Sequence, residues 1–378
     1  MKKVLMLASV ASMIDQFNMP NIKLLQEMGA TVDVACNFEK GSTSSKERID
    51  KFKIELQNIR IGYFQIDFTR NVFILWQNVK VYYQLDRLIK QNQYDLIHCH
   101  SPIGGVLGRL IARKHNIRII YTAHGFHFFK GAPLINWLVY YPIEKWLAKY
   151  TDVLITINKE DFERAKNFRA KRVEYVPGVG VDVDKFANHI VDRDQIRNEI
   201  GVPADSFMLL SVGELNKNKN HIVIIKALSK INNANIHYVI VGTGQLEKKL
   251  KNIAVKLGIG EQVHLLGYRS DVMDLYKAAD LFCFPSKREG LPVSLIESMA
   301  SGLPCICSNI RGNSDLITDS NYLCNDIAEN YIDTINMLHG NVNLRKEIGA
   351  CNQRLVQKYN LASVINRMKE IYVEVCNL

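Results

Sequence analysis

The sequence lacks any apolar run long enough to cross a membrane. A spanning helix needs about 20 consecutive apolar residues, and the nearest candidate, residues 132–143, is too short and contains two prolines. The N-terminal residues MKKVLMLASVASMID combine two lysines with an apolar run, as a signal peptide does. We predict instead a first buried strand, because MIDQFNMPNIKLLQEMG continues as an amphipathic helix. We therefore expect the chain to stay in the cytoplasm.

Paired cysteines and two common nucleotide-binding fingerprints are also missing. The eight cysteines include no C-x-x-C pair and no zinc-type spacing. We expect them to be reduced and buried, since most lie in apolar runs such as DLFCF and LPCICS. The first strand is not followed by G-x-G-x-x-G, and G-x-x-x-x-G-K-[ST] does not occur. These absences exclude a dinucleotide fingerprint at that strand and a P-loop kinase or ATPase.

Excess positive charge is confined to the first half of the chain. Residues 1–180 contain 26 lysines and arginines against 16 aspartates and glutamates, whereas the remaining residues contain 22 of each. This asymmetry indicates an anionic partner for the first half, either a membrane surface or a phosphate-bearing substrate. Surface charge that only keeps the protein soluble is the alternative. We expect no nucleic-acid partner.

Short β-branched runs alternate with helical patterns along almost all of the 378 residues. Near-continuous apolar strands separated by helices are typical of a parallel sheet covered on both faces. The predicted strands are KKVLMLAS, TVDVACN, YDLIHCH, IRIIYTA, DVLITI and RVEYVP, and then SFMLLSVG, NIHYVIVGTG, QVHLLGY, DLFCFPS and LPCICSN. Between the two sets lies PGVGVDVDKF, which we interpret as a linker because it is rich in Gly and Asp. The sequence thus predicts two doubly wound α/β domains.

Ligands of such domains bind beyond the carboxyl ends of the strands, where the second half carries small and acidic residues. Gly242 and Gly244 precede a helix whose N-terminus favours an anion, although a tight turn would need glycine in any case. Glu289 and Glu297 are eight residues apart. If Pro292 lies in the first turn of a helix, Glu289 is on the preceding loop and Glu297 lies about a turn and a half inside.

Two carboxylates placed in this way could point into one cleft. Carboxylates accept charge-assisted hydrogen bonds from vicinal sugar hydroxyls. The N–H groups of Gly290 and Leu291, near the start of the helix, could meet a diphosphate. Solvated surface charge remains the alternative for an isolated pair of glutamates.

Other acidic and histidine pairs give no metal site. D-x-D occurs at 182–184 and 192–194, in or beside the linker rather than after a strand. His98 and His100 alternate at a strand end, and a metal there would need further ligands. We therefore expect no bound metal.

Taken together, these segments resemble the retaining GT-B glycosyltransferases of family 4. Glu289-Gly-Leu-Pro-x4-Glu297 resembles their E-x7-E motif and VGELNKNKNH their phosphate-binding loop, with VGTG, LLGYRSD and PGVGVD in the expected order. YTAHGFHFF and YDLIHCHSP resemble the strand-end histidine segment and the strand before it. SVASMIDQFNMPNIKLLQEMG and HCHSPIGGVLGRL are similar to bacterial capsule and exopolysaccharide enzymes.

The resemblance implies the GT-B architecture, an α/β fold of two Rossmann-like doubly wound parallel-sheet domains facing across a cleft. We place an acceptor-side domain at residues 1–185 and a nucleotide-sugar-binding domain at 186–360. A final helix at 361–378 would pack back on the first domain.

The resemblance also implies roles for single residues. Glu289 would contact the donor sugar near the reacting carbon, Glu297 the ribose hydroxyls and Lys219 the diphosphate. His124 would lie at the sugar side of the cleft. The other residues implied to bind the nucleotide sugar are Gly213, Lys217, Gly242, Gly244, Tyr268, Arg269, Arg288, Gly290 and Leu291, with Tyr268 and Arg269 beside the base.

Two departures from the family pattern affect these roles. The phosphate loop usually reads G-R-x4-K, but Glu214 follows Gly213 here, so Lys217 or Arg288 would share the diphosphate with Lys219. The first loop also lacks the usual Gly-Gly. Ser12 and Asp15 occupy it and, with His100, are the implied acceptor-side residues.

The implied reaction passes a sugar from a nucleotide diphosphate sugar, UDP-linked by expectation, to a lipid-diphosphate-linked glycan without a metal or other cofactor. A GT-B nucleotide-sugar epimerase and a non-catalytic sugar-nucleotide-binding partner are the alternatives. We also predict that the first domain docks on an anionic membrane surface at the inner face of the membrane. Its segment PLINWLVYYPIEKWLAKY contributes Trp137, Tyr140, Tyr141 and Trp146, unless these rings pack inside the domain.

Overall fold

A computed structural model of the chain describes residues 2–41, 44–69 and 74–376. This part of the chain forms two compact units, residues 1–179 with 362–378 and residues 180–361. The first crossing between the units falls within the predicted linker. Among the described residues, no helix is both long and apolar enough to span a membrane.

The first unit contains a parallel sheet with the strand order β3-β2-β1-β4-β5-β6-β7 in the described part of the chain. Its strands are β1 (Lys3–Val10), β2 (Thr31–Asn37), β3 (Gly62–Gln65), β4 (Leu96–His100), β5 (Arg118–Ala123), β6 (Val153–Thr156) and β7 (Arg172–Tyr175). The helices between them are α1 (Ala11–Phe17), α2 (Met19–Glu27), α3 (Lys46–Asn58), α4 (Leu75–Asn92), α5 (Pro102–His115), α6 (Leu134–Ala148) and α7 (Lys159–Ala165).

The second unit contains a parallel sheet with the strand order β10-β9-β8-β11-β12-β13. Its strands are β8 (Phe207–Val212), β9 (Ile236–Val241), β10 (Val263–Leu265), β11 (Leu281–Phe284), β12 (Cys305–Ser308) and β13 (Leu323–Cys324). Its helices are α8 (Val183–Asn188), α9 (Arg193–Glu199), α10 (Ile222–Ile231), α11 (Glu247–Lys256), α12 (Val272–Ala278), α13 (Val293–Ala300), α14 (Asn313–Leu316), α15 (Ala328–His339) and α16 (Val342–Val356).

The last helix, α17 (Leu361–Cys376), packs on the sheet of the first unit. Its buried Tyr372 hydroxyl lies 2.7 Å from Nδ1 of His98 on β4. The first and last segments of the second unit pair with each other, because the N–H of Val181 donates to the Tyr359 carbonyl over 3.0 Å. Gly180 has a φ of +78° and a Cβ there would lie 2.7 Å from the Leu361 Cα, so this crossing requires glycine.

Strand β1 shows why the strands have apolar residues at successive positions. Val4 and Met6 contribute to the core on one face of the sheet, and Leu5 and Leu7 to the core on the other face. Successive side chains alternate between the faces of a strand, and helices cover both faces here. The predicted fold class of two doubly wound parallel α/β sheets is confirmed.

The structure differs from the sequence-based expectations in three places. The helix predicted after β1 is two helices, because Pro20 lies in the first turn of α2 and Asn18, between the helices, donates to the Met13 carbonyl over 2.8 Å. Strands β3 and β13 were not predicted, since they are short edge strands without a long apolar run. The helix predicted from residue 71 is observed from Leu75, and residues 71–73 lie outside the described residues.

Candidate functional site

Lys219 and Glu289 meet at the point where the strand order of the second sheet reverses. Strands β8 and β11 are neighbours there, and the loops 213–221 and 285–292 leave their carboxyl ends. Nζ of Lys219 lies 2.7 Å from Oε1 of Glu289, and both side chains are largely buried. Doubly wound sheets bind ligands in the crevice at such a reversal point. The structure therefore brings together the two residues that the sequence assigned to the diphosphate and the sugar.

Hydrogen bonds between the two loops hold this ion pair in place. Oδ1 of Asn216 accepts the N–H groups of Asn218 and Lys219, each over 2.9 Å, which closes a local turn. The Asn218 side chain donates to the Arg288 carbonyl over 2.9 Å, and the Asn218 carbonyl accepts the N–H of Lys287 over 2.8 Å. The turn and these two contacts fix where Lys219 and Glu289 leave the backbone.

Glu297 lies in the second turn of α13, while Glu289 lies on the preceding loop, as the spacing predicted. Pro292 is the N-cap of this helix rather than a residue of its first turn. The Tyr276 hydroxyl donates to Oε2 of Glu297 over 2.9 Å. Burial raises the pKa of Glu297 to about 7, against the smaller opposing effect of this hydrogen bond. The carboxyl group therefore changes its charge near neutral pH.

Three glycines allow the loops after β8 and β9 to approach each other closely. A Cβ on Gly242 would lie 2.1 Å from the Gly213 carbonyl oxygen, and one on Gly244 would lie 2.5 Å from the Leu215 carbonyl oxygen. The N–H of Leu215 donates to the Thr243 carbonyl over 2.9 Å. A Cβ on Gly213 would contact the Lys219 side chain at 3.2 Å. These glycines therefore allow two loops of the protein to lie close together.

The loop after β12 contacts the loop after β11. Nε of Arg311 donates to the Glu289 carbonyl over 3.1 Å, and a Cβ on Gly312 would lie 2.4 Å from the Gly290 carbonyl oxygen. In the described part of the chain, the N–H groups of Gly290 and Leu291 donate no hydrogen bond. Sequence analysis missed Arg311 and Gly312, although an Arg-Gly pair soon after a predicted strand was an available signal.

The other residues assigned to the nucleotide lie on neighbouring loops. Tyr268, which follows β10, is exposed, and Nε of Arg269 donates to Asp271 over 2.8 Å. Their loop is joined to the end of β9, because the N–H of Gly242 donates to the Gly267 carbonyl over 2.8 Å. The assignment of Tyr268 and Arg269 to the base stays a prediction.

The two cations expected to replace the missing phosphate-loop arginine are exposed residues on the loops that carry Lys219 and Glu289. Lys217 is exposed and lines a cavity between α10 and α11, together with Lys249. Arg288 is also exposed. Neither side chain forms an ion pair with another described residue, and Arg311 is the arginine whose guanidinium contacts the backbone of Glu289.

In the first unit, His100 ends β4 and His124 directly follows β5; β4 borders the point where that sheet's strand order reverses, and β5 is the next strand. Nδ1 of His100 lies 3.1 Å from Nε2 of His124. Burial lowers the pKa of His124 to about 4, so the ring is neutral at pH 7. Both rings line a cavity of about 20 Å³, which is room for about one water molecule.

The remaining acceptor-side residues lie on α1. Ser12 is buried. The Asp15 carboxylate accepts hydrogen bonds from Nε of Arg48, over 2.9 Å, and from Nη2. Arg48 also binds Glu55. The Asp15 carboxylate is therefore held by an arginine of α3, and its assignment to the acceptor stays a prediction.

Comparison with known proteins identifies the family. The family model described as glycosyl transferases group 1 matches residues 192–354, and the glycosyl transferase 4-like model matches residues 3–158. The chain is 36% identical to the putative glycosyltransferase EpsD of Bacillus subtilis, over 98% of this chain and 96% of that protein. The chain is a GT-B glycosyltransferase.

Two further similarities bear on this glycosyltransferase. It is 31% identical to the Escherichia coli UDP-Gal:alpha-D-GlcNAc-diphosphoundecaprenol alpha-1,3-galactosyltransferase, over 83% of this chain and 84% of that enzyme. Its fold matches that of Anabaena HepE, crystallised with UDP and glucose, with a TM-score of 0.79 at 18% identity, over 99% of this chain and all of that one.

The acidic pairs of the glycosyltransferase cap helices. The Asp182 side chain accepts the N–H of Lys185 at the start of α8, and the Asp192 side chain accepts that of Asp194 at the start of α9. Among the described residues, no group of three His, Cys, Asp or Glu side chains is placed to hold a metal ion. The cysteines are free, and all except Cys351 are fully buried, as expected.

Proposed function

We propose that this glycosyltransferase moves a sugar from a UDP-sugar to a hydroxyl of a lipid-diphosphate-linked glycan during polysaccharide synthesis, with retention of the anomeric configuration. The Lys219–Glu289 pair at the reversal point of the second sheet carries the proposal. The Escherichia coli relative is a UDP-Gal enzyme and the Anabaena neighbour was crystallised with UDP, which supports UDP as the nucleotide. The diphosphoundecaprenol-linked acceptor of the Escherichia coli relative supports a lipid-linked acceptor here. Retention rests on the resemblance of the E-x7-E segment.

The proposed chemistry depends on charge that develops as the donor breaks. The bond from the anomeric carbon to the diphosphate oxygen breaks, the acceptor hydroxyl oxygen bonds to that carbon, and the hydroxyl proton passes to the departing diphosphate. The diphosphate gains negative charge that Lys219 would neutralise. Hydrogen-bond donors held in place before the reaction stabilise this charge without reorganisation. Glu289 would hold the sugar hydroxyls, and Glu297 the ribose hydroxyls, through charge-assisted hydrogen bonds. No residue is proposed as a covalent nucleophile.

Products decide between this proposal and its alternatives. The purified enzyme is incubated with a panel of nucleotide sugars and a polyprenyl-diphosphate-linked sugar, and the anomeric configuration of any product is read by NMR. Transfer from one UDP-sugar with retained configuration is expected. An epimerised nucleotide sugar without a glycosylated lipid would show an epimerase. Neither product, from a protein that binds UDP, would show a non-catalytic binding partner.

Ribose binding by Glu297 should depend on pH. Burial raises the pKa of Glu297 to about 7, so the carboxylate that accepts ribose hydroxyls forms as the pH rises through 7. We expect uridine to bind more tightly at pH 8 than at pH 6, and this dependence to vanish in Glu297→Gln. Uridine carries no phosphate, so calorimetry with it excludes titration of the ligand's diphosphate. A dependence that persists in a folded Glu297→Gln protein would refute the assignment.

Activity should not require a divalent metal. Lys219 is the proposed partner of the diphosphate. Asp182 and Asp192, the first aspartates of the two D-x-D segments, cap helices instead. We expect turnover in excess EDTA to equal that in buffer with magnesium. Complete loss in EDTA, with recovery on adding magnesium or manganese, would show that the phosphate site has been misassigned.

The first unit has a face suited to an anionic membrane. Helices α4, α5 and α6 lie side by side against one core of the sheet. The acidic residues on these helices, Asp86 and Glu144, are buried and paired. The exposed charged residues are Lys80, Arg87, Lys90, Arg113, Lys114 and Lys145. Large apolar residues stand exposed among them: Trp76, Val79, Tyr83, Leu134, Ile135, Leu138, Ile143 and Trp146.

The aromatic residues predicted to contact the membrane divide into two groups. Trp137, Tyr140 and Tyr141 pack against the core of the first unit, with the Trp137 ring centroid 5.8 Å from that of Phe128. These three rings are partly buried, which favours the alternative that they pack inside the domain. Trp146 is exposed, and we propose that it docks with the aliphatic residues of α6 and with α4.

Reversing two charges on this face should weaken attachment to anionic vesicles. Each basic residue near such a surface contributes about 1 kcal/mol, so losing two lowers the affinity roughly 30-fold before repulsion by the new acids is counted. The test is cosedimentation of Arg87→Glu/Lys145→Glu with phosphatidylglycerol vesicles. The control, Lys23→Glu/Lys51→Glu, makes the same charge change on α2 and α3, which pack on the opposite face of the sheet. Equal weakening by both pairs, or equal binding of the wild type to neutral vesicles, would refute the proposed surface.

A further inference from the structure

The loop after β12 contacts two consecutive carbonyl groups of the loop after β11. Nε of Arg311 donates to the Glu289 carbonyl over 3.1 Å, and the Arg311 side chain is buried. Gly312 faces the next carbonyl, because a Cβ on it would lie 2.4 Å from the oxygen of Gly290. Two neighbouring peptide groups therefore have their oxygens turned towards the same loop.

The directions of the corresponding N–H groups follow from peptide geometry. A trans peptide is planar, and its C=O and N–H point in opposite directions. The N–H groups of Gly290 and Leu291 must therefore point away from the β12 loop. Strand β11 lies between β12 and β8 in the sheet, so the loop on the side away from the β12 loop is the β8 loop, which carries Lys219.

We infer that Arg311 and Gly312 are positioning residues, which hold the N–H groups of Gly290 and Leu291 towards the diphosphate of the donor beside Lys219. This inference rests on the proposed function. Neither N–H donates within the described part of the chain, so both remain available to the phosphate oxygens. Fixed donors stabilise the charge of a leaving diphosphate most when they cannot turn away. The β12 loop opposes that turning, because Arg311 donates to the Glu289 carbonyl and Gly312 packs closely against the Gly290 carbonyl.

Glycine at position 312 is needed for two separate reasons. Its φ is +83°, a backbone conformation that residues with a side chain rarely adopt. A Cβ would also lie 3.4 Å from the Leu291 Cα, besides its clash with the Gly290 oxygen. Alanine would displace the Gly290–Leu291 peptide group and so misdirect the N–H of Leu291.

The experiment compares Gly312→Ala with Gly258→Ala. Gly258 has a φ of +75°, but no atom lies within 4 Å of a Cβ there, so alanine causes backbone strain without the contact. We measure kcat and KM with the UDP-sugar, and calorimetric affinities for UDP and for uridine. Gly312→Ala should lower kcat about 10²-fold, as expected for a misdirected donor to the transition state. It should also weaken UDP but not uridine, whereas Gly258→Ala should change only the melting temperature.

Arg311 provides a second series in case Gly312→Ala does not fold. Arg311→Met should show the same selective loss of UDP affinity, and Arg311→Lys, which keeps one donor, should recover part of it. If Gly312→Ala matches Gly258→Ala, or if the Arg311 variants weaken uridine as much as UDP, the inference is overturned. Wild-type transfer tests the proposed function separately, because the difference between UDP and uridine binding is measured without any turnover.

Discussion

A folded Lys219→Met enzyme should transfer sugar about 10²–10³-fold more slowly than the wild type, the usual effect of losing one preorganised contact to a developing charge. Nζ of Lys219 is held 2.7 Å from Glu289 at the crevice of the second sheet, where the leaving diphosphate is proposed to lie. Methionine keeps the length of the side chain and its packing on Phe284, whose ring centroid is 4.7 Å from Nζ. Initial rates at saturating donor measure the loss.

Two controls separate a diphosphate contact from an effect on Glu289. Lys226→Met removes an exposed lysine of α10, to which no role is assigned, and should leave the rate within a few-fold of the wild type. Lys219→Met should weaken UDP but not uridine, whereas Glu289→Gln should weaken neither while lowering turnover. If Lys219→Met leaves UDP affinity unchanged, Lys219 acts only by orienting Glu289, and its assignment to the diphosphate is wrong.

Removal of the Glu144 carboxylate should destabilise the first unit by about 3–5 kcal/mol, the cost of leaving a buried charge without its partner. Arg109 is fully buried on α5, and its guanidinium lies 2.7 Å from Glu144 on α6. Nε of Arg109 donates to the Gly105 carbonyl over 2.8 Å, and the guanidinium carbon lies 4.2 Å from the Tyr121 ring centroid. In Glu144→Ala, the positive charge of Arg109 would remain buried without its partner.

Tryptophan fluorescence measures the stability of the first unit alone. The three tryptophans of the chain are at positions 76, 137 and 146, all in the first unit. Urea unfolding followed at these residues is therefore not confused with unfolding of the second unit. Glu163→Ala, which breaks an exposed ion pair to Lys166, should cost at most about 1 kcal/mol. A similar small cost for Glu144→Ala would show that solvent reaches Arg109. An Arg109→Met/Glu144→Leu double variant should recover much of the lost stability.

The positions of the larger strands could be predicted from the sequence because burial on both faces leaves a clear pattern. Val4, Leu5, Met6 and Leu7 are all buried, although they face two different cores. Strand β3 shows no such pattern, since each of its residues is partly exposed at the edge of the sheet. A sequence pattern reports burial, and β3 has too little of it.

The site was predictable as far as it follows from one short stretch of chain. Glu289 and Glu297 are linked by a loop and one and a half turns of α13, so their spacing alone predicts which lies on the loop and which on the helix. Lys219 and Arg311 are far from them in sequence, and only the family resemblance indicated the first of these residues. Nothing in the sequence showed that Arg311 contacts the Glu289 carbonyl, because that contact depends on β11 and β12 being neighbours in the sheet.

The sequence by itself determined the parallel α/β class and the separation of Glu289 from Glu297, because these depend on local periodicity and spacing. It indicated the family through the resemblance of its motifs to those of known enzymes. The tertiary structure decided which distant loops meet. It paired Lys219 with Glu289, placed the backbone of Gly213 against Gly242, and turned Trp137 inwards but Trp146 outwards. The physical reason is that strand order and helix packing bring together loops that are far apart in sequence, and no short segment contains that information.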